Sequence, residues 1–349
     1  MGRLLRRRGP VPFVMGQQPA GLRFRPLPEV GLRPYGGDWM DSVAAIVVTY
    51  NRKELLGSCL HAILAQTRPC DRVFVIDNAS TDGTHDFLFE HGFLDGPVEL
   101  VTLPHNTGSA GGFHEGMRRA HEAGFEWLWL MDDDGRPAPT CLEHLLSSRA
   151  TLDVIGPVVV RDDDPSRLTW KLRKSGRGGW FVPFRSIRDY RELLEEARDG
   201  VYLGFATLFN GVLINRRVPE AIGYVLADLF IWGDENEYML RCKAASFRVG
   251  MRVDAFHIHP FVRPRHSSRW KFYYLYRNTM YMHWKYARIT QPPWLRPLYP
   301  LYMTARLLTD LPSLSPPYLL ALLRGARRAL GGKLVGFDQA QVAVPVRSL

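Results

Sequence analysis

The sequence has no run of the roughly 18 uninterrupted apolar residues that a membrane-spanning helix requires. It therefore predicts no transmembrane helix. The opening residues 1–8 are basic, but glycine and proline within residues 9–12 interrupt the chain before the apolar part of a signal peptide could form. We expect a cytoplasmic protein that meets a membrane only at its surface.

Cysteine is scarce, and its spacing argues against a zinc motif. The four cysteines form no CxxC pair and have no regular spacing: Cys59, Cys70, Cys141 and Cys242. This pattern predicts reduced thiols in a cytoplasmic setting and no zinc knuckle, and it leaves a single disulfide open as an alternative.

Two nucleotide-related patterns are also missing. The glycine-rich segment at residues 106–112 does not match GxGxxG, so it predicts no dinucleotide site. No recognisable nucleic-acid-binding motif accompanies the positive charge, so we expect no nucleic-acid partner. The composition, 46% hydrophobic and 23% charged over 349 residues, is that of a globular protein large enough for a substantial core.

Acidic residues are rare at both ends of the chain. Residues 261–349 contain 14 lysines and arginines against two aspartates, which gives +12, and residues 1–40 carry +5. Because the whole chain carries +10, residues 41–260 carry −7. We expect a basic N-terminal arm or small extension, a mildly acidic body and a basic C-terminal region, with an anionic partner for the ends.

The body is organised around an apolar run that ends in three carboxylates. Residues 125–131 include two tryptophans and predict a buried strand, and Asp132, Asp133 and Asp134 follow at once. We call these three aspartates the acidic turn. Open α/β sheets bind ligands where strands end, and neighbouring carboxylates are stabilised by a cation such as Mg²⁺ or Mn²⁺. The alternative is a solvated turn, as expected for the second aspartate triplet at residues 162–164.

Strand and helix patterns alternate from residue 42 onward. Strands are predicted at residues 42–50, 72–76 and 98–102, helices from about residue 54 to 64 and from 113 to 123, and a glycine-rich loop at 106–112. This order predicts an α/β fold with a mainly parallel sheet and helices on both faces. Asp77 then lies at the same edge as the acidic turn, although an Asx turn or helix cap also explains it. Asn106 begins the glycine loop, and Gly108 permits close approach to a phosphate or sugar.

Four segments together resemble the family 2 glycosyltransferases of the GT-A fold: residues 46–52, 75–83, 106–112 and 131–134. The resemblance covers roughly residues 43–260 and is strongest to bacterial galactofuranosyltransferases, with related rhamnosyltransferases next. It implies a catalytic domain at residues 41–260 that binds a nucleotide-diphosphate sugar.

The resemblance also assigns roles to individual residues. It implies that Thr49 and Asp77 line the nucleotide pocket, with Arg52 as a further contact on that side, or alternatively a surface residue where a helix begins. It implies that Asp132 and Asp134 reach the metal and the diphosphate. Asp133 either touches the sugar or orients the loop.

The second half of the predicted site comes from three further segments. A helix is predicted to begin near Asp234, and its first turn carries several acids that helix capping would also explain. The family places its general base there, and the resemblance maps this base onto Glu235, with Asp234 as the substitute candidate. A strand near residues 248–260 ends in two histidines, and the resemblance makes His259 the third metal ligand, with His257 as second choice. Residues 205–214 are predicted as a strand or turn beside the sugars, or as a hairpin.

Aromatic and basic residues alternate through the C-terminal region. Residues 270–286 and 318–328 predict amphipathic helices that suit an anionic membrane surface, and packing on the catalytic domain is the alternative. The resulting hypothesis is a metal-dependent, inverting glycosyltransferase on the inner face of the membrane, moving galactofuranose from UDP-galactofuranose to a lipid-linked glycan. A rhamnosyltransferase with a dTDP donor and a non-catalytic membrane-binding protein are the alternatives.

Overall fold

The computed structural model describes residues 41–175, 181–206, 209–261, 269–291, 294, 296–310 and 316–330. The predicted N-terminal arm, residues 1–40, lies outside the described residues, as do residues 262–268 and 331–349 of the predicted C-terminal region. The described strands are β1 Val43–Thr49, β2 Arg72–Asp77, β3 Val98–Thr102, β4 Trp127–Asp132, β5 Arg136–Pro137, β6 Val154–Arg161, β7 Arg167–Ser175, β8 Phe181–Asp189, β9 Val201–Leu203, β10 Asn210–Asn215 and β11 Val249–His259.

Helices cover the sheet and form most of the described C-terminal part. They are α1 Lys53–Leu64, α2 Thr84–Glu90, α3 Gly108–Glu122, α4 Cys141–Leu146, α5 Tyr190–Glu196, α6 Arg217–Ile222, α7 Asp234–Ala244, α8 Arg269–Lys285, α9 Ala287–Thr290, α10 Tyr299–Asp310 and α11 Pro316–Ala329. The predicted helices at the start of the body, before Cys242 and in the C-terminal region are confirmed.

The sheet has the strand order β3-β2-β1-β4-β10-β6-β11-β5, and its first four strands are parallel. Strand β10 runs antiparallel between β4 and β6, so the second half of the sheet is mixed. Thr49 is paired with Asp77, and Val48 with Asp132. The parallel strands therefore bring Asp77 and the acidic turn to one edge, as predicted from the alternating pattern, and Thr49 lies at the same edge.

Alternate residues of β1 pack on opposite faces of the sheet. Ala44, Ile46 and Val48 belong to the core that includes Phe113 and Met117 of α3. Val43, Ala45 and Val47 belong to a second core that includes four side chains of α1: Leu56, Cys59, Leu60 and Ile63. Successive strand residues point to opposite faces, so a fully apolar strand needs a cover on both sides. The predicted helices on both faces are confirmed.

The predicted loop at residues 106–112 is partly wrong, because α3 begins at Gly108, five residues before the predicted start at Phe113. Gly108 has φ +72°, and a Cβ atom there would lie 2.0 Å from the carbonyl oxygen of Phe230. A Cβ atom at Gly112 would lie 2.5 Å from Cγ1 of Val48. The glycines thus let α3 approach β1 and the segment before α7, which accounts for them without a ligand.

The hairpin alternative for residues 205–214 is wrong. Asn210 and Gly211 begin β10, where the pairing with β4 shifts register, and Gly211 has φ +85°. A glycine at positive φ inside a strand is typical of a bulge.

Helix α8 packs on the sheet and its flanking helices, and α10 and α11 pack on α8. Tyr281 and Tyr286 are buried in the main core, and six further residues of α8 and α11 form a small core of their own: Tyr273, Tyr274, Tyr276, Met280, Ala321 and Leu322. Packing on the domain, the alternative kept for this region, is therefore realised. Within the described ranges, every helix is too short or too polar to cross a membrane.

Candidate active site

The acidic turn is held in place by residues from the end of β1 and the start of α1. Thr49 Oγ1 donates to Asp133 Oδ2 at 2.7 Å, and Arg52 Nη1 donates to Asp133 Oδ1 at 3.1 Å and to Asp134 Oδ2 at 2.9 Å. Asp133 is only 2% exposed, and burial raises its pKa to about 6 despite the positive charge of Arg52. This geometry favours the loop-orienting alternative for Asp133 and engages the Thr49 hydroxyl within the protein.

His259 reaches the acidic turn from the end of β11. Its Nδ1 lies 2.8 Å from the carbonyl oxygen of Pro260, and its Nε2 lies 3.1 Å from Asp134 Oδ1. Because a carbonyl oxygen only accepts, Nδ1 carries the hydrogen; Nε2 donates to the carboxylate when the ring is protonated and turns a lone pair toward it when the ring is neutral. A proton or a cation shared by both atoms satisfies this pair of acceptors. A ring held by a backbone carbonyl through its other nitrogen is also the usual arrangement of a metal-binding histidine.

His257 lies on the same side of β11 but faces a different part of the turn. A Cβ atom at Gly135 would lie 2.0 Å from His257 Nε2, so the chain approaches the ring closely where glycine follows the acidic turn. Burial lowers the pKa of His257 to about 3, and neither ring nitrogen has a hydrogen-bond partner among the described residues. Between the two histidines, the contact with a carboxylate favours His259 as the ligand candidate.

The described residues do not form a complete metal site as they stand. Within them, no three His, Cys, Asp or Glu side chains are arranged to hold a metal ion. The structure brings together Asp134 and His259. That Asp132 binds the same metal ion as these two residues stays a prediction. The pKa of Asp134 is lowered, against the effect of burial, by the hydrogen bond and charge of His259 and by the charge of Arg52.

The acid pair, Asp234 and Glu235, begins α7 and faces the acidic turn. Burial raises the pKa of Asp132 well above its usual range, and the charges of the neighbouring aspartates and of the acid pair raise it further. Burial also raises the pKa of Asp234 to about 6, and burial together with the charge of Asp234 raises that of Glu235 to about 8. The site therefore collects negative charge that a bound cation would stabilise.

The two members of the acid pair differ in their contacts. Asp234 is 3% exposed, and its Oδ2 accepts a hydrogen bond from Ser109 Oγ at 2.9 Å. Glu235 is half-buried, and in the described part of the chain no hydrogen bond or ion pair engages its carboxylate. Glu237, the third acid of this turn, is buried against Arg241 and Tyr286. Of the three, Glu235 is the carboxylate available to a substrate.

The predicted nucleotide-side residues lie along the edge formed by β1 and β2. Asp77 Oδ1 accepts a hydrogen bond from the amide of Ser80, three residues on, at 3.0 Å, so its carboxylate binds the backbone of its own turn, as a cap or Asx turn would. Asn106 Oδ1 accepts from the Gly108 amide at 2.8 Å in the same manner. These bonds shape the two turns. Contact of Asp77, Asn106 and Gly108 with a nucleotide-sugar donor stays a prediction.

Sequence reasoning missed several residues that fix the site from outside it. Ser109 binds Asp234, and Asn78 accepts from the amide and hydroxyl of Thr107 at 3.0 and 2.9 Å, just before α3 begins. Arg277 and Asn278 of α8 bind the backbone that precedes α7. Asn78 and Ser109 lie inside the segments 75–83 and 106–112 that carry the family resemblance, whereas nothing in the sequence assigned a site role to Arg277 or Asn278.

Comparison with known proteins places this geometry in a family. The model of glycosyl transferase family 2 matches residues 44–210. The galactofuranosyltransferase GlfT1 of Mycolicibacterium smegmatis is 35% identical over 221 residues, which is 62% of this chain and 70% of the relative. The dTDP-rhamnosyl transferase RfbF of Shigella flexneri is 25% identical over 205 residues, 58% of this chain and 63% of the relative.

The fold is shared with solved glycosyltransferases. The crystal structure of Staphylococcus aureus TarS 1-349 in complex with UDP-GlcNAc aligns with a TM-score of 0.52 at 14% identity, covering 82% of this chain and 81% of that one. The expected GT-A-like architecture, with its sheet, flanking helices and C-terminal helices, is confirmed. From this fold, the family match and the similarity to GlfT1, the chain belongs to glycosyl transferase family 2 and is a glycosyltransferase.

Proposed function

We propose that this protein is a metal-dependent, inverting glycosyltransferase that moves galactofuranose from UDP-galactofuranose to a lipid-linked glycan. The observation that carries the proposal is the meeting of the acidic turn with the acid pair, which lie about 100 residues apart in sequence. Burial raises the pKa of Asp132, and the charges of Asp134, Asp133 and the acid pair raise it further. The similarity to GlfT1 supports galactofuranose as the donor sugar.

The donor set of the site fits a hard divalent cation. Asp132, Asp134 and His259 would hold Mg²⁺ or Mn²⁺, because these ions favour carboxylate oxygens and Mn²⁺ also accepts imidazole. When bound, such an ion would offset the negative charge of the departing diphosphate. Asp133 keeps the turn fixed through Thr49 and Arg52, and Arg52 also contributes positive charge on the donor side.

Glu235 is the proposed general base, with Asp234 as the substitute. The free carboxylate of Glu235 accepts the proton of the acceptor hydroxyl as its oxygen attacks the anomeric carbon. The bond to the diphosphate breaks on the opposite face, so the anomeric configuration inverts. Asp234, bound to Ser109, would orient the start of α7 and through its charge keep Glu235 basic.

The nucleotide would lie along the edge of β1 and β2. Asp77 and Thr49 are adjacent in register there, and Asn106 and Gly108 form the next turn of the same edge. The acid pair lies next to that turn, since Ser109, which follows Gly108, donates to Asp234.

The described C-terminal helices present a surface that suits a lipid acceptor. Large apolar side chains are exposed on and near α10 and α11: Trp294, Leu298, Leu301, Tyr302, Leu319, Leu320, Leu323 and Leu330. Arg327 is exposed among them, and exposed apolar residues beside basic ones favour an anionic membrane surface. We therefore place the enzyme at the inner face of the membrane.

A donor panel tests this function. Purified protein with Mn²⁺ is given UDP-galactofuranose, dTDP-rhamnose, UDP-glucose and GDP-mannose, and release of the nucleotide is measured with and without octyl glycosides as acceptors. Turnover confined to UDP-galactofuranose, and lost in Glu235→Gln, supports the proposal. Preference for dTDP-rhamnose would select the rhamnosyltransferase alternative, which the similarity to RfbF supports. Absence of turnover with every donor would contradict the proposed function and leave the non-catalytic alternative.

A further inference from the structure

The backbone that leads into the acid pair has an unusual conformation. Phe230 has φ +65° and Trp232 has φ +59°, and Gly233, immediately before α7, has φ +95°. Bulky residues other than glycine rarely adopt positive φ, and two of them within three residues cost free energy that surrounding contacts have to supply. We call residues 229–233 the base loop. Its conformation determines where α7 begins and where Glu235 points.

Asn278 of α8 holds the base loop from one side. Its Nδ2 lies 3.0 Å from the carbonyl oxygen of Leu229, 3.0 Å from that of Ile231 and 2.6 Å from that of Trp232. Asn278 is 1% exposed, so its amide depends on these carbonyls as acceptors. One amide nitrogen thus lies within hydrogen-bond distance of three carbonyl oxygens of the base loop. In an extended or helical backbone these three oxygens would not point toward one atom.

Arg277 holds Asn278 and extends the same contact. Its Nε donates to Asn278 Oδ1 at 2.9 Å, which fixes the amide so that Nδ2 faces the base loop. Its Nη2 donates to the carbonyl oxygens of Asp228 and Leu229, both at 2.8 Å. Arg277 is 3% exposed, and its guanidinium carbon lies 4.8 Å from the centre of the Tyr274 ring. A buried guanidinium is costly unless its hydrogens are bound, and here backbone carbonyls bind them.

The base loop is held from its other side by the start of α3. The amide of Ala110 donates to the carbonyl oxygen of Phe230 at 3.1 Å. The Phe230 ring stacks on Tyr274 of α8 with the ring centres 4.8 Å apart. The loop is therefore fixed between the glycine-rich N-terminus of α3 on the catalytic sheet and helix α8.

We infer that Arg277 and Asn278 are positioning residues that set the direction of Glu235 through the backbone of the base loop. The inference rests on the proposed function, because it names Glu235 as the group that is positioned. It also makes α8 part of the catalytic unit, although α8 follows the sheet in sequence and, in the described part of the chain, forms no hydrogen bond with the proposed metal or nucleotide residues. Loss of the Asn278 amide leaves the carbonyls of Ile231 and Trp232 without the donor that holds them, and the loop then relaxes from its positive-φ conformation.

The test uses Asn278→Asp, which keeps the shape of the side chain but replaces the donating NH₂ group with an oxygen. Leu275→Ala, at a partly exposed position of the same helix, is the matched control, and Arg277→Lys is a second variant with a milder change. We expect kcat of Asn278→Asp to fall by about 100-fold, the loss that a misplacement of about 1 Å can cause, with the KM for the donor changed less than about twofold. Leu275→Ala should keep the wild-type kcat.

A double-mutant cycle separates positioning from general destabilisation. If Asn278 acts through Glu235, then Asn278→Asp should cost little further activity in a Glu235→Gln background, since the group that it positions is already lost. Additive losses would overturn the inference. Hydrogen exchange gives a readout that does not need activity: the amides of residues 229–237 should exchange faster in Asn278→Asp and not in Leu275→Ala. Unchanged exchange there would also overturn the inference, whereas wild-type inactivity on every donor would contradict the proposed function alone.

Discussion

His259 Nε2 lies 3.1 Å from Asp134 Oδ1, so the end of β11 contacts the acidic turn although the two residues are 125 positions apart. The other ring nitrogen of His259 is held by the carbonyl of Pro260, which leaves Nε2 directed at the carboxylate. This contact joins the parallel and mixed halves of the sheet at the site, and it is the place where a cation would have the largest effect.

Asp134→Ala should abolish most metal-dependent activity. The variant removes a negatively charged oxygen ligand. Loss of a residue that only supports a metal ligand already lowers activity by up to about 100-fold, so turnover is expected to fall by about 100-fold or more. Turnover is measured against Mn²⁺ concentration. Asp163→Ala is the matched control, because Asp163 belongs to the second triplet and is an exposed residue paired with Arg161. Equal activity of the two variants would contradict the metal assignment.

The rate should depend on the protonation of Glu235. Because a general base has to be deprotonated and the pKa of Glu235 is about 8, kcat/KM should rise with pH through that value and level off above it. Glu235→Gln should lower kcat by about 10²–10⁴-fold, the typical contribution of a general base. Donor binding, measured by calorimetry, should be retained. If Asp234→Asn loses all activity while Glu235→Gln is nearly silent, the two roles are exchanged.

The same raised pKa predicts a pH dependence of stability. Between the ordinary value of 4.5 and about 8, the folded state binds more protons at Glu235 than the unfolded state does. The free energy of unfolding therefore falls as pH rises through this window. Glu235→Gln removes this contribution, so its Tm should exceed that of the wild type by an amount that grows from pH 5 to pH 8. A Tm difference that stays constant over this range would show that the pKa of Glu235 is not raised.

Gly116→Ala should destabilise the contact between α3 and the sheet. A Cβ atom at Gly116 would lie 2.3 Å from Cγ2 of Ile46 and 3.1 Å from Cγ1 of Ile76, so the helix has to move away from β1 and β2. Overpacking of this kind costs about 1–3 kcal/mol. Urea denaturation measures the change. Gly96→Ala is the control, because no atom lies within 4 Å of its Cβ position, and its free energy of unfolding should stay within about 0.5 kcal/mol of the wild type.

The proposed membrane surface can be tested at Arg327 and Leu323. Of the three arginines of α11, Arg324 donates to Tyr273 and Arg328 pairs with Asp228, so reversing either charge would also disturb the fold. Arg327→Glu should weaken sedimentation with anionic vesicles several-fold, since each basic residue near such a surface contributes about 1 kcal/mol. Leu323→Asp should weaken it even at high salt, because Leu323 is 68% exposed and would contribute an apolar contact.

Arg191→Glu provides the control for charge. Arg191 lies on α5, and its side chain is 92% exposed. This variant should sediment like the wild type. Equal partitioning of the wild type onto neutral and anionic vesicles, or onto neither, would reject the electrostatic attachment.

The sequence by itself determined the parallel half of the sheet and the edge at which the site lies. Short apolar runs followed by polar turn residues specify a strand and its end locally, so Asp77 and the acidic turn could be placed together before any contact was known, and the family resemblance added Thr49. The family resemblance added His259 and the acid pair, and the structure places His259 against Asp134 and the acid pair opposite the acidic turn.

Only the tertiary structure showed what surrounds each aspartate triplet and gave the glycines and α8 their roles. Asp133 is enclosed by Thr49 and Arg52, while Asp163 is exposed and bound to its neighbour Arg161, although both follow apolar strands. Gly108 faces the carbonyl of Phe230, more than 100 residues away, and Asn278 binds the same loop from α8. The physical reason is that burial and hydrogen-bond partners arise from contacts between distant segments, which local composition does not encode.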